Sequence, residues 1–420
     1  MDPSTLSLFV ATPQQTEISR RRTGVTPWGS GMTLDEYIQR DLDLEKSECG
    51  KDGKHTTWVL APRSDPETLD FLCSCETFRR TGLVVMAKDD FEASNAASKK
   101  GSGSVVEVEC YGIASVFTPP QNRKKGYAHL MMSLLHWVIA EHVLPSNAFP
   151  TLVWGQQPAP PPELKMGQAA FSCLWSDVGD FYETCNPDVA DRTKRNGWTG
   201  RGTRTTRWRP KHDLNSTGST FGDLESRWLN EAEVKQLMMH DSERMGEELY
   251  RYWLHSTAET KAVFTFLPSD GVEAFQRERL RHFWEKEGID RWGVTLSGTH
   301  TSGGALIAFA TWTLELRPPA PRTLVITRLY APEPEYVAHI LWKVWEYSIE
   351  HDIAVVEAWN FPEHLRGEGY EHARRWFSPV QEKEEFERAE HLPAFKFYDS
   401  SSKLGGHQVE WLFNEKFCWC

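Results

Sequence analysis

Arg123-Lys124-Lys125-Gly126-Tyr127-Ala128 places three cations and a glycine directly ahead of an amphipathic stretch. The long β-rich segment Val105 to Phe117 comes before it and is broken by Thr118-Pro119-Pro120. After it, Leu130, Met131, Leu134, Leu135, Val138 and Ile139 recur at spacings of three and four, which predicts a helix from Tyr127 to about His142. A strand–turn–helix of this kind leaves several amide N–H groups unpaired at the first helical turn. With the helix dipole, those groups form an anion site suited to a pyrophosphate, and the glycine permits close backbone approach. The pattern Arg/Gln-x-x-Gly-x-Gly/Ala alone is weak, since average residue usage supplies it about 0.4 times in a chain this long. The flanking strand and helix carry the reading; the alternative is an ordinary turn with solvated basic residues. Neither G-x-G-x-x-G after a strand nor G-x-x-x-x-G-K-S/T is present, which disfavours hydride and phosphoryl transfer.

The elements around this loop divide the chain. Residues 1–30 read as an irregular lead-in, and Thr33 caps a helix from Leu34 to about Leu44 with Glu36 at capping-box spacing. Strands are expected over 58–61, 70–79, 82–87, 105–117, 149–154 and 169–176, with a Ser/Gly/Lys/Ala-rich mobile loop over 93–103. A first domain over 31–209 would hold the anion loop, and 210–222 would be a polar linker to a second domain over 223–420. There, a helix is expected over 223–252, strands over 291–296, 305–316, 323–330 and 353–359, and a helix over 335–351. This strand–helix–strand order echoes the first domain and suggests a degenerate second copy. Its turn, Ala331-Pro332-Glu333, lacks the Arg/Gln-x-x-Gly pattern and should not cradle pyrophosphate.

With 420 residues, 40% hydrophobic and 25% charged, the chain is expected to be a soluble globular protein of two domains. Its 18 tryptophans are spread without repeat and are expected in cores and domain seams. A net charge of −12 disfavours nucleic acid as a partner and suits a cationic substrate. The local basic stretch from Arg192 to Lys211 reads as a solvated loop. No signal-peptide core and no run of about 18 apolar residues is present, so no membrane partner is expected. Cys73/Cys75 and Cys418/Cys420 lack His or Cys partners at zinc spacing, so no metal is expected. The eight cysteines are expected to be reduced, mostly buried thiols of an intracellular, cytoplasmic protein.

Val116-Phe117-Thr118-Pro119-Pro120-Gln121-Asn122-Arg123-Lys124-Lys125-Gly126-Tyr127-Ala128 closely resembles the coenzyme A motif of the Gcn5-related N-acetyltransferase (GNAT) superfamily. Leu174-Trp175-Ser176-Asp177-Val178-Gly179-Asp180-Phe181-Tyr182, followed by Gly197-Trp198, resembles that superfamily's second signature. Blocks at 57–60, 75–80, 111–115, 357–360 and 414–420 resemble the fungal lysine N6-acetyltransferase family, so the likeness spans nearly the whole chain. Two departures stand out: an insertion between Tyr182 and Gly197 containing Asn186-Pro187-Asp188, and Lys124-Lys125 where the superfamily often has glycine.

The resemblance implies an α/β (α+β) GNAT fold. Its central sheet would be mixed and mostly antiparallel, flanked by helices, with a degenerate GNAT-like copy at the C-terminal end. It implies acetyl-CoA as co-substrate and transfer of the acetyl group to a small-molecule amine, foremost the N6 amine of free L-lysine. Val116 and Phe117 would hold the pantetheine arm and polarise the thioester carbonyl, and Arg123 to Ala128 would hold the pyrophosphate. Tyr182 would protonate the departing thiolate. Candidates for the base are Glu76, Glu109 and Asp177, directly or through a water. The apolar end of the chain, with Phe413, Phe417 and Trp419, is expected to be docked, so the terminal carboxylate of Cys420 could receive the proton. An acetyltransferase for another amine, such as a secondary-metabolite intermediate, and a non-catalytic acyl-CoA-binding or scaffold protein are the alternatives.

Overall fold

A computed structural model describes residues 2–86, 103–188, 195–210, 224–298, 306–362, 382–399 and 404–420. Apart from Gly103 and Pro210, the expected loop over 93–103 and the linker over 210–222 lie outside the described residues. The first strands are β1 (Leu6–Val10), β2 (His55–Pro62), β3 (Cys73–Met86), β4 (Ser104–Phe117), β5 (Phe171–Ser176), β6 (Thr199–Gly200), β7 (Arg204–Arg209) and β8 (Leu224–Leu229). They are followed by β9 (Ala262–Phe266), β10 (Gly293–Gly298), β11 (Leu306–Glu315), β12 (Thr323–Tyr330) and β13 (Val355–Trp359), then β14 (Glu382–Glu387), β15 (Leu392–Phe397) and β16 (Val409–Trp411). The main helices are α1 (Pro13–Gly24), α2 (Leu34–Lys46), α3 (Tyr127–Ile139), α4 (Glu231–His255) and α5 (Pro334–Glu350).

These strands form two mixed, mostly antiparallel sheets flanked by helices, one ordered β1-β2-β3-β4-β5-β15-β6 and the other β14-β7-β13-β12-β11-β10-β8. β9 pairs with β3 and carries β16 on its other edge. Each sheet contains one strand–helix–strand unit with parallel strands: β4–α3–β5 in the first and β12–α5–β13 in the second. The right-handed logic of such crossovers places each helix on one face of its sheet. The expected second copy is therefore present as a topological repeat. The expected division at 210–222 does not follow the sheets, however. β7 lies in the second sheet between β13 and β14, whereas β9, β15 and β16 complete the first. The two halves thus share backbone hydrogen bonds across the seam.

Several sequence expectations need correction. The lead-in over 1–30 contains β1 and α1, and α1 begins with a complete capping box between Thr12 and Gln15. The strands expected over 70–79 and 82–87 are one continuous β3. Gly82 is not a break there; a Cβ on it would stand 2.5 Å from the Phe171 ring, so the glycine serves close packing. The segment 149–154 is a short helical turn, Thr151–Trp154, rather than a strand. The helix expected from 223 begins only at Glu231, after β8, where Asn230 and Glu233 form a capping box. Part of the basic stretch is β7 rather than a solvated loop, and Arg207 forms an ion pair at 2.6 Å with Glu357.

Among the described residues eight tryptophans, Trp137, Trp198, Trp312 and Trp345 included, are fully buried, consistent with a structural role. All eight cysteines are buried thiols. No helix among the described residues is long and apolar enough to cross a membrane.

Candidate active site

β4 and β5 run side by side only from Cys110–Ile113 against Phe171–Leu174, and then they part. β5 remains paired with β15 through Ser176, so the strands diverge instead of ending together. Just past the parting point β4 carries a bulge: Ala114 lies opposite Glu76 and Phe117 opposite Ser74, so Ser115 and Val116 face a single residue of β3. Ser115 adopts φ +52, the local turn that this extra residue requires. A wedge with irregular backbone on one side therefore opens at Val116.

Beyond the wedge the chain makes one 3₁₀ turn, Pro120–Asn122, and Arg123 Nε donates to Thr118 O at 3.1 Å. Lys124 (φ +61) and Gly126 (φ +82) are both left-handed, and Gly126 caps α3 without a side-chain hydrogen bond. The first ladder bond of α3 runs from Leu130 N–H to Gly126 O, so the amides of Tyr127 and Ala128 precede the ladder. Arg123, Lys124 and Lys125 are exposed, whereas Tyr127 is buried in the core. The residues present fit a pyrophosphate: three exposed cations, a left-handed glycine and an uncapped helix start.

The same helix fixes the segment that bears Tyr182. His129 Nε2 donates to Thr184 O at 2.7 Å, and His136 Nε2 donates to Cys185 O at 2.9 Å. Burial pushes the His136 imidazole down to about 3. The ring is therefore neutral, and its Nδ1 accepts from Tyr398 OH at 2.7 Å. Trp198 stacks on His136 with centroids 4.0 Å apart, and its backbone N–H donates to Tyr182 O at 3.0 Å. Tyr182 is thus held from both sides of the insertion. Burial raises its phenol above the ordinary tyrosine range, so it keeps its proton.

A cavity of about 460 Å³ connects the wedge to the second sheet, within the size range of small-molecule sites. Glu76, Val116, Asp177, Tyr182 and Cys420 all line it. Five of the expected site residues, distant in sequence, are brought together. Glu109 is not among them: its carboxylate accepts from Tyr111 OH at 2.8 Å in a separate groove beside Arg79 and Arg80. It stands on β4 ahead of the parallel pairing with β5, away from the wedge. Phe117 is buried and packs edge-on against Trp28, 6.4 Å between centroids.

Burial alone would raise Glu76. His55 beside it at 3.7 Å, the Ser115 hydroxyl and Arg20 outweigh burial and hold the carboxyl at about 2. Asp177 is held below its usual value against the penalty of burial, because Oδ1 accepts from the His391 backbone N–H at 2.7 Å and lies near its ring. Cys420 Sγ sits 2.6 Å from where a Cβ on Gly112 would be, so the chain end rests on β4. Burial lifts its thiol to about 11.

The opposite wall comes from residues that sequence reasoning did not single out. Arg279 and Arg317 both pair with Glu315, at 2.7 and 3.1 Å, and Lys416 lies between the Trp359 and Trp419 rings at 4.3 and 4.0 Å. Burial, reinforced by Arg279 and Arg317 and opposed by Glu315, pushes Lys416 down to about 7. Arg279 Nε is buried without a hydrogen-bond partner. Three basic side chains around one carboxylate leave this wall able to take an anion. No local motif marks these residues, which the fold gathers from 137 positions of chain between Arg279 and Lys416. Among the described residues no group of three or more His, Cys, Asp or Glu is placed to hold a metal.

The family described as LYC1 GNAT-like C-terminal domain matches residues 211–420. No curated protein sequence matches the chain. Similar solved structures include a GCN5-related N-acetyltransferase from Kribbella flavida, 12% identical, over 94% of this chain and 72% of that one, TM-score 0.48. A probable N-acyltransferase from Enterococcus faecalis is 9% identical over 95% and 74%, TM-score 0.46. A tandem GNAT protein from the clavulanic acid biosynthesis pathway is 9% identical over 93% and 98%, TM-score 0.44. The family match covers half the chain, including the last strands of the first sheet and the tail that reaches the wedge. The chain belongs to the LYC1-like family of GNAT proteins, which makes it an acyl-CoA-dependent N-acetyltransferase.

Proposed function

We propose that the protein transfers the acetyl group of acetyl-CoA to the N6 amine of free L-lysine. The observation that carries this reading is the two-sided cavity. Ionised Glu76 stands on the wedge side, and Arg279, Arg317 and Lys416 stand on the second-sheet side. An acceptor bearing an amine at one end and a carboxylate at the other would meet opposite charges at its two ends. The residues of 31–209 would bind the donor, with Arg123, Lys124, Lys125 and the first-turn amides of Tyr127 and Ala128 at the pyrophosphate. The bulged backbone around Val116 and Phe117 would lie along the pantetheine arm.

In the reaction the neutral amine attacks the thioester carbonyl. A C–N bond forms, the C–S bond breaks, the thiolate takes a proton from Tyr182, and the proton shed by the acylated nitrogen restores the Tyr182 phenol. An alkyl ammonium has a pKa near 10.4 and must first lose a proton. Glu76, held at about 2, stays ionised, and its negative charge suits it to hold the ammonium. Asp177 is likewise lowered and is tied to His391. In this reading the terminal carboxylate of Cys420, a residue that lines the cavity with its Sγ against β4, receives the proton.

Measuring CoA release with a panel of free amines, lysine first, tests the proposal. CoA release with another amine but none with lysine would overturn lysine as the acceptor. Arg317→Ala supplies a sharper check. Losing one charge-assisted contact to the acceptor's carboxylate should raise KM for lysine roughly 10-fold. The same variant should leave KM for 1,5-diaminopentane, which has no carboxylate, within about twofold of the parent. Equal effects on both acceptors would rule out the carboxylate contact. Glu76→Gln should raise KM for both acceptors and leave acetyl-CoA affinity unchanged, as isothermal titration would show.

A further inference from the structure

The second strand–helix–strand unit also forms a wedge. β12 and β13 run parallel from Thr323–Ile326 against Val355–Ala358 and then part. Just past that point β12 carries its own bulge: Ile326 lies opposite Trp312 and Arg328 opposite Thr311, leaving Thr327 as the extra residue. The second copy has kept both the splayed strands and the bulge of the first. It has lost the loop, since only Ala331-Pro332-Glu333 separate β12 from α5, and Pro334 at the first helical position has no N–H to offer.

This second wedge is filled by the chain's own C-terminal segment. Leu329 N–H, just beyond the bulge, donates to Glu415 Oε2 at 2.9 Å. Arg328 Nη1 donates to Glu415 Oε1, and Arg328 Nε donates to buried Asp241 at 2.8 Å. Across the opening, Asn360 Nδ2, just past β13, donates to Asn414 O at 2.6 Å. From there the tail crosses to the first wedge. Arg80 Nη1 donates to Cys418 O, Gln276 Nε2 donates to Trp419 O at 2.6 Å, and Cys420 ends in the cavity.

We propose that the degenerate wedge serves as the anchor of the C-terminal tail, and that Glu415 is a positioning residue that sets the terminal carboxylate of Cys420 in the active site. Its carboxylate takes up the Leu329 N–H just beyond the bulge, where a cofactor arm would otherwise lie. Five residues of chain separate it from the reacting end, at most about 18 Å when extended. The consequence for catalysis rests on the proposed role of Cys420; the anchoring itself does not.

The test uses the full chain with Glu415→Ala and Glu415→Gln. Carboxypeptidase, followed by mass spectrometry, reads how fast the last residues are released. Glu415→Ala should speed release at least about 10-fold, because the tail then opens locally. Glu415→Gln, whose amide oxygen can still accept from Leu329 N–H, should lie between, with thermal unfolding confirming an intact fold in both. In turnover, Glu415→Ala should lower kcat roughly 10-fold with acetyl-CoA affinity unchanged. Combined with deletion of Cys420 it should cause no further loss, since residues acting through one group are not additive. Equal release rates for all variants would overturn the anchor. Faster release with unaltered kcat, or with losses that add to those of the Cys420 deletion, would overturn the positioning role. Deletion of Cys420 without loss of kcat would sink the carboxylate's part in proton transfer; the release arm then decides the anchor alone.

Discussion

Replacing Tyr182 with phenylalanine is expected to lower kcat by roughly 100-fold, the low end of what a positioned general acid supplies. KM for both substrates should hold, since the hydroxyl assists only as the C–S bond breaks and thiolate charge appears. Folding should hold as well. The ring stays packed against Phe181 and Trp198, and the segment is secured by His129 and His136 from α3 rather than by the phenol. The pH profile adds a signature. Burial raises the Tyr182 phenol above its usual range, so the parent enzyme should lose no activity to its ionisation below about pH 10. Activity should instead climb with pH as more of the acceptor amine becomes neutral. A phenylalanine variant within about twofold of the parent kcat would remove Tyr182 from the chemistry.

Gly126→Val should weaken acetyl-CoA binding by roughly 100-fold, about 2.8 kcal/mol at 1.4 kcal/mol per decade. The cause is backbone geometry. Gly126 caps α3 at φ +82, a region that costs an L-residue about 1–2 kcal/mol and a β-branched one more. Valine must strain there or turn out of the left-handed region, and either change re-aims the amides of Tyr127 and Ala128. Gly126→Ala should fall between, with the same strain and less bulk. Calorimetric titration of acetyl-CoA against the folded variants reads the effect. Unchanged affinity in Gly126→Val would show that the pyrophosphate lies elsewhere. Acceptor selectivity should be untouched in any residual activity, because Arg317 and Lys416 sit on the opposite wall.

These two residues were legible in the sequence for different reasons. Gly126 sits in a local pattern, with three cations before it and a helix-period stripe behind it, and α3 starts at Tyr127 as that stripe requires. Tyr182 had no such pattern; only family resemblance singled it out, and the structure sets it against the wedge. Glu109 shows the limit of that reasoning. A carboxylate on the right strand reads as a candidate base, but whether it reaches the cavity depends on where β4 and β5 part, and that depends on pairing. The division expected between 79 and 82 shows the same limit: Gly82 lies inside the continuous β3 and makes room for the Phe171 ring of β5, two strands away.

What the sequence determined by itself was local. It specified the capped helix after Thr33, the strand before Pro119, the uncapped and glycine-led start of α3, and a second strand–helix–strand order without a phosphate loop. Short-range spacing and backbone preference suffice for such features, because the interacting groups lie within a few residues of one another. Tertiary structure alone decided that β9, β15 and β16 complete the first sheet and β7 the second, and that Arg279, Arg317 and Lys416 face Glu76 across one cavity. It alone decided that Glu415 fills the second wedge while Cys420 ends in the first. Strand exchange between sheets and contacts between residues hundreds of positions apart are settled by long-range pairing and burial, which leave no periodic trace along the chain.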